Sequence, residues 1–190
     1  MTSEGRRERE RALRERLIVA AARELAEAQG WEAVTTRRLA ERVEYSQPVL
    51  YSHFKSKDAI MAAVAVEGFA DLAAELQAVR AAAGGDRAAL AAVAAAYLGF
   101  ADRRPALYDA MFARAVDLPF AAEETPAPLR AAFGALVSAL TPFAGGDDVE
   151  LLTETLWAAL HGLVTLTRGD RLPREQQDRR LAILLARFTT

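Results

Sequence analysis

Between Thr35 and Lys57 the chain reads TTRRLAERVEYSQPVLYSHFKSK, and this stretch restricts the possible folds more than any other. It holds two short helical patterns a few residues apart, each preceded by a hydroxyl residue. Thr35 precedes Thr36–Val43, in which Leu39, Ala40 and Val43 share one face. A threonine at that position accepts a hydrogen bond from an orphan N–H of the first turn, and the apolar face must be buried. Glu44 and Tyr45 break the pattern, and Ser46 offers a second N-cap. Pro48 then falls in the first turn of the next helix, where a missing N–H costs nothing. Val49 and Leu50 give this helix an inward side, leaving Gln47, Tyr51, Ser52 and His53 as its outward groups. Two capped helices across a tight turn form a helix-turn-helix, and the second is the one suited to a DNA major groove.

The surrounding sequence is helical throughout. Leu13, Leu17, Ala21, Leu25 and Ala28 step by three or four, so a first helix is predicted to bury that face and to end at Gly30. Residues 3–12 form an arginine/glutamate run, expected as a frayed helix start or a disordered arm. In it Arg6, Arg7, Arg9 and Arg11 would add counterion-release affinity for DNA. Trp31 is expected to pack beneath the helix-turn-helix. Ser56 caps a long helix, with Asp58 early in it, that continues to Gly84-Gly85. Further helices follow from Asp86 to about Arg103, from Pro105, from Leu129 to Leu140, from Asp148 through Val164, and from about Pro173 to Phe188. A loop or irregular lid is expected over 116–125. The prediction is an all-α fold of about nine helices. A three-helix helix-turn-helix domain (1–57) is joined by a long helix to an effector-binding and dimerisation domain (58–190).

Composition sharpens this. Apolar residues make up 52% of the chain, and alanine and leucine supply most of them, as helices favour. There is no cysteine, which excludes disulfides and thiolate metal sites and fits a reducing, cytoplasmic setting. The charged N-terminus lacks the apolar stretch of a signal peptide. The longest apolar run, 88–101, falls short of the roughly 18 residues of a membrane span, so no membrane partner is expected. Lys and Arg exceed Asp and Glu by 12 to 9 in residues 1–57 and trail by 12 to 17 in 58–190. A basic N-terminal third on an acidic body suits a phosphate-facing domain joined to one that does not bind DNA. Catalysis is not expected: His53 and His161 are the only histidines, no metal-ligand spacing or phosphate loop is present, and no cofactor is implied.

Residues 35–57 resemble the DNA-binding domain of the TetR/AcrR family of bacterial transcriptional regulators. Gln47-Pro48-Val49-Leu50-Tyr51-Ser52-His53 is similar to that family's recognition helix, and Phe54-Lys55-Ser56-Lys57 to its link into the fourth helix. The resemblance departs at Glu44, where the family usually carries glycine, and at Tyr45, usually a small aliphatic residue. It implies a homodimer on a double-stranded, palindromic DNA operator. Gln47 would bond a base edge, Pro48 and Val49 would touch a thymine methyl, and Tyr51, His53, Lys57, Thr36 and Arg37 would hold phosphates, with Ser46 in the same DNA-binding set. In the body, Trp157 and His161-Gly162 form a W-x-x-x-H-G pattern resembling a subgroup named for that Trp-His-Gly signature. Phe69, Leu72, Tyr97, Phe100, Met111, Phe112, Phe133, Trp157 and His161 are either plain core or the lining of a pocket for a small, largely apolar effector. The last two helices would form a four-helix bundle with the partner's pair. The function implied is a ligand-responsive repressor; the alternative is a dimeric helix-turn-helix protein with no effector.

Overall fold

In a computed structural model, residues 3–113, 118–120 and 122–189 are described. Among them are nine α-helices and no strand. They are α1 (Ser3–Gln29), α2 (Thr36–Val43), α3 (Gln47–His53), α4 (Lys57–Ala82), α5 (Asp86–Arg103), α6 (Pro105–Tyr108), α7 (Ala127–Leu140), α8 (Val149–Arg168) and α9 (Gln177–Phe188). None is long and apolar enough to cross a membrane. The expected loop over 116–125 lies partly outside the described residues, as do the first two residues of the N-terminal segment. The chain forms two compact units. One comprises residues 1–68 and 104–124, the other 69–103 and 125–190, so the boundary within α4 falls between Gly68 and Phe69.

In the first unit α1 begins at Ser3, so the arginine/glutamate run is helical and continuous with the rest of α1. The buried face of α1 matches the expected one only in part. Ala21 and Leu25 are buried as expected, together with Ile18, Ala22 and Ala26, whereas Leu13 and Leu17 are 58% and 55% exposed and Ala28 is exposed too. Ile18 and Ala22 each follow an expected position by one residue, or roughly 100° around the axis, so the buried face is turned toward them. Spacing by three or four marks a face but not where along the helix its burial begins and ends. Gly30 ends the helix at φ 80°, a conformation that costs glycine nothing, and its N–H donates to Ala26 O at 2.7 Å.

Trp31 follows in a 3-10 turn and is buried. Its indole Nε1–H donates to Ala106 O at 2.8 Å, while its own carbonyl accepts from Lys57 Nζ at 2.9 Å. One residue therefore joins the end of α1 to α4 and α6. The carboxylate of Glu27 completes the attachment, accepting from Leu107 N at 2.9 Å and Ala106 N at 3.2 Å. These are orphan donors of the first turn of α6, and a carboxylate there also meets the positive end of the helix dipole. Gly68 lies against the same segment: a Cβ there would stand 2.7 Å from Met111 Sδ and 2.8 Å from Leu107 Cδ1.

The second unit packs α5 against α7, α8 and α9. Its core includes Leu76, Leu90, Val93, Phe100, Leu136, Leu140, Leu156, Leu160 and Val164. Asp148 caps α8, accepting from Glu150 N at 2.9 Å and Leu151 N at 3.2 Å, where the sequence starts this helix. Leu151 is 63% exposed, whereas Thr153 is buried. The Thr153 hydroxyl satisfies itself by donating to Val149 O at 2.6 Å, which lets a polar residue occupy a core position. Replacing Trp31 with Phe should lower unfolding stability by about 0.5–1.5 kcal/mol, since the indole bond to the Ala106 carbonyl is lost while that carbonyl still accepts from the Asp109 N–H; urea denaturation would measure the decrease.

Candidate DNA-binding site

Helices α2 and α3 are built as their residues dictate. Thr35 Oγ1 accepts from Arg38 N at 3.3 Å and caps α2, and Leu39 and Ala40 are buried while Val43 is half-buried. Glu44 is the C-cap of α2 and takes the left-handed conformation, φ 56° and ψ 36°. Its N–H and that of Tyr45 both turn back to Ala40 O, closing the turn. Glycine would meet this backbone requirement without steric cost, whereas Glu44 adopts it with a side chain. Ser46 is the N-cap of α3, but its side chain makes no capping bond; its carbonyl accepts from Val49 N and Leu50 N instead. Leu50 is buried beneath the helix, and Gln47, Pro48, Tyr51 and Ser52 are exposed. Ser52 Oγ donates back to Val49 O at 2.7 Å.

His53 does not stand outward as predicted. Its side chain is 6% exposed, with Nδ1 3.4 Å from Glu15 Oε1 on α1. The C-terminal end of α3 turns toward α1, so a residue two positions after Tyr51 lies on the inner side. Glu15 also accepts from Arg11 Nε at 2.9 Å. Burial acts to raise the Glu15 pKa, but hydrogen bonds from Arg11 and His53 and their charges outweigh it and hold the carboxyl below the ordinary range. Among the other expected phosphate contacts, Arg37 is exposed and paired with Glu41 at 2.9 Å, and Thr36 is half-buried in the first turn of α2. Lys57 is half-buried and already spends one of its three N–H donors on Trp31 O. The structure thus brings Gln47, Pro48 and Tyr51 onto one exposed surface and sets His53 behind it. The Glu15–His53 and Glu27–Leu107 contacts carry no sequence signal, because the partners are 38 and 80 residues apart; the Arg11–Glu15 pair, by contrast, has a local helical spacing.

A family model for bacterial regulatory proteins of the tetR family matches residues 18–64, and a model for the tetracyclin repressor-like C-terminal domain matches residues 90–188. The second match alone spans more than half of the chain. The chain belongs to the tetR family. It is a DNA-binding transcriptional regulator of that family, and its helix-turn-helix lies wholly inside the N-terminal match. An uncharacterised helix-turn-helix-type transcriptional regulator of Mycobacterium tuberculosis is 30% identical over 78% of this chain and 67% of its own length. The class C tetracycline repressor of Escherichia coli is 47% identical over 53 residues, 28% of this chain and 24% of that repressor. A solved structure of a Rhodococcus protein of unknown function superposes with a TM-score of 0.76 at 26% identity, covering 92% of each chain. The C-terminal match is to the broad repressor-like class, and the narrower Trp-His-Gly subgroup stays an expectation of the sequence.

The body's predicted residues are placed as follows. Phe69, Leu72, Tyr97 and Phe100 are buried, and Phe133, Trp157 and His161 half-buried, all in the second unit. Trp157 Nε1–H donates to Tyr97 OH at 2.9 Å, joining α8 to α5. Met111 and Phe112 belong to the first unit, where the Phe112 ring meets Tyr108 at a centroid distance of 4.7 Å. Burial lowers the His161 pKa below 6.5, favouring the neutral imidazole.

Two outcomes are expected. Glu44→Gly should raise the unfolding free energy by no more than about 1 kcal/mol, because relief of the left-handed strain is offset by a more flexible unfolded chain; a higher midpoint in a thermal melt would show it. For His161 the folded pKa lies below the unfolded one, so its contribution is intact above about pH 6.5 and disappears as pH falls through the folded pKa. His161→Asn should therefore flatten the decline of the urea midpoint between about pH 7 and pH 5.

Proposed function

We propose that this regulator is a dimeric repressor that leaves a palindromic operator when a small, largely apolar effector binds its body. The observation that carries the reading head is the capped α2–turn–α3 pair, which buries Leu50 while holding Gln47, Pro48 and Tyr51 exposed on one surface. The division of labour assigns DNA recognition to residues 1–57 and effector binding and dimerisation to 58–190. Each subunit sets α3 in the major groove of one half-site. Gln47 bonds an adenine edge through its amide, and Pro48 and Val49 contact a thymine methyl. Thr36, Arg37, Tyr51 and Lys57 hold phosphates, and Ser46 lies at the N-terminal entrance of α3. His53 supports the site from behind through Glu15. Phosphate contacts set register and salt dependence, while the base contacts set sequence.

Dimerisation through α8 and α9 is supported by their uncovered apolar residues. Leu151 and Leu166 on α8 and Ile183 on α9 are exposed. Gly162 has open space where a Cβ would stand, so nothing in its own chain requires a glycine there. A partner helix at close approach would. The effector reading is supported by the polar groups within the apolar body, the Tyr97–Trp157 pair and a neutral His161, which would orient a ligand otherwise held by apolar side chains. The resulting change would pass along α4, which runs from one compact unit into the other. The regulator acts in the cytoplasm and is not an enzyme. A reading without an effector has its own support, since Phe69, Leu72, Tyr97 and Phe100 are buried as ordinary core residues are. A thermal-shift screen with small apolar compounds separates the two.

The first test is selection of bound sequences from a random duplex pool with the full-length chain. A palindromic consensus is expected, and Gln47→Ala should cost about 1–3 kcal/mol of discrimination at one position in each half-site. An unchanged consensus would remove Gln47 from base readout, and a single unpaired half-site would contradict the dimer.

A further inference from the structure

Helix α1 extends well beyond the part of it that packs. Residues 6–14, 16 and 17 are all exposed, so about three and a half turns, roughly 20 Å, project past the buried stripe that begins at Ile18. This projecting segment, 5–17, carries six arginines against three glutamates. Its arginines are not spread evenly. Arg7, Arg11 and Arg14 fall at intervals of four and three, and the same series continues without a phase change into Ile18, Ala22 and Leu25. One face of a single helix is thus apolar where it meets the domain and cationic where it leaves it.

The direction of that face is fixed by a second contact. Glu15 lies on the same side of α1 and meets His53 Nδ1 at the C-terminal end of α3. The arginine stripe therefore begins beside the end of α3 and runs outward from it. Two of the segment's cations are neutralised along the helix, Arg6 by Glu10 at 3.8 Å and Arg11 by Glu15 at 2.9 Å. Among the described residues Arg9, Arg14 and Arg16 form no ion pair.

We infer that the projecting turns of α1 are a second DNA-binding element, which lies along the phosphate backbone of duplex DNA flanking the groove occupied by α3. The inference rests on the proposed reading head and goes beyond the helix-turn-helix itself. Successive arginines on the stripe are about 6 Å and 4.5 Å apart along the axis, and a duplex offers one negative charge per about 1.7 Å, so two or three phosphates come within reach of one stripe. The contact is sequence-independent, because guanidinium groups on phosphate oxygens read no base edge. It also couples the arm to the reading head: Glu15 holds Arg11 on one side and His53 on the other, so the arm and the end of α3 share a carboxylate.

The test uses the full-length chain and Arg7→Gln/Arg14→Gln, which leaves the Arg11–Glu15–His53 arrangement intact. Both substituted residues are exposed, and matching thermal melts would establish that the fold is kept. Dissociation constants for the selected operator and for an unrelated duplex are measured from about 50 to 200 mM salt. The slope of log K against log salt should fall by about 0.9 for each phosphate that the variant no longer neutralises, close to two units per bound subunit. Affinity for both duplexes should drop by a similar factor of about ten or more, and the selected consensus should stay the same. An unchanged slope would overturn the inference while leaving the reading head standing. A weakening confined to the operator would overturn it as well, by showing base readout. If the variant kept its slope but no longer bound anionic phosphatidylserine vesicles, the stripe would be a lipid contact and the inference wrong. Absence of duplex binding by the parent chain would defeat both this inference and the proposed reading head.

Discussion

Trp31 is the point on which the first unit depends. It sits where α1 has ended and before α2 begins, and it is buried. Its side chain donates to Ala106 O and its carbonyl accepts from Lys57 Nζ, so three segments distant in sequence are fixed around one residue. A buried hydrogen bond contributes modestly when made, but breaking it costs the full desolvation of the partner left behind. That asymmetry makes the arrangement specific as well as stable. Glu27 adds a second attachment to the first turn of α6, and Gly68 lets Leu107 and Met111 approach α4 more closely than any side chain would permit.

The surface proposed to read DNA follows from this platform. Helix α3 has only seven residues and is too short to be stable on its own, so its order comes from tertiary contacts. Leu50 holds it from below, the Glu44 turn sets its angle to α2, and His53 with Glu15 fixes its far end. A rigid mount of this kind matters for sequence readout, because a base edge is recognised by hydrogen bonds with narrow geometric tolerance. Phosphate-facing cations have no such demand. Arg37 remains exposed on a surface helix, where it can exchange its Glu41 partner for a phosphate.

Much of this was legible from local chemistry. The caps at Thr35, Ser56 and Asp148, the glycine at the end of α1 and the buried positions Leu39, Ala40 and Leu50 all appear as the sequence implied. Each depends on residues within one or two turns of each other. The misread positions share a different cause. Leu13 and Leu17 look like core because they are leucines at helical spacing, yet among the described residues nothing covers them, Leu17 standing exposed beside the buried Ile18. His53 looks like an outward group because it is polar, yet a carboxylate 38 residues earlier gives it a partner inside. Polarity predicts exposure only where no partner waits in the interior.

The sequence by itself determined the helical class, the order of the helices and the helix-turn-helix, since caps, periodicity and turn residues act over a few positions and need no distant partner. Only the tertiary structure decided how far along α1 burial extends, that α6 is held by Glu27 and Trp31, and that His53 faces Glu15. Those outcomes depend on which surfaces are brought together, and a carboxylate or an indole selects its partner by position in space. Side-chain type narrows the choice without making it.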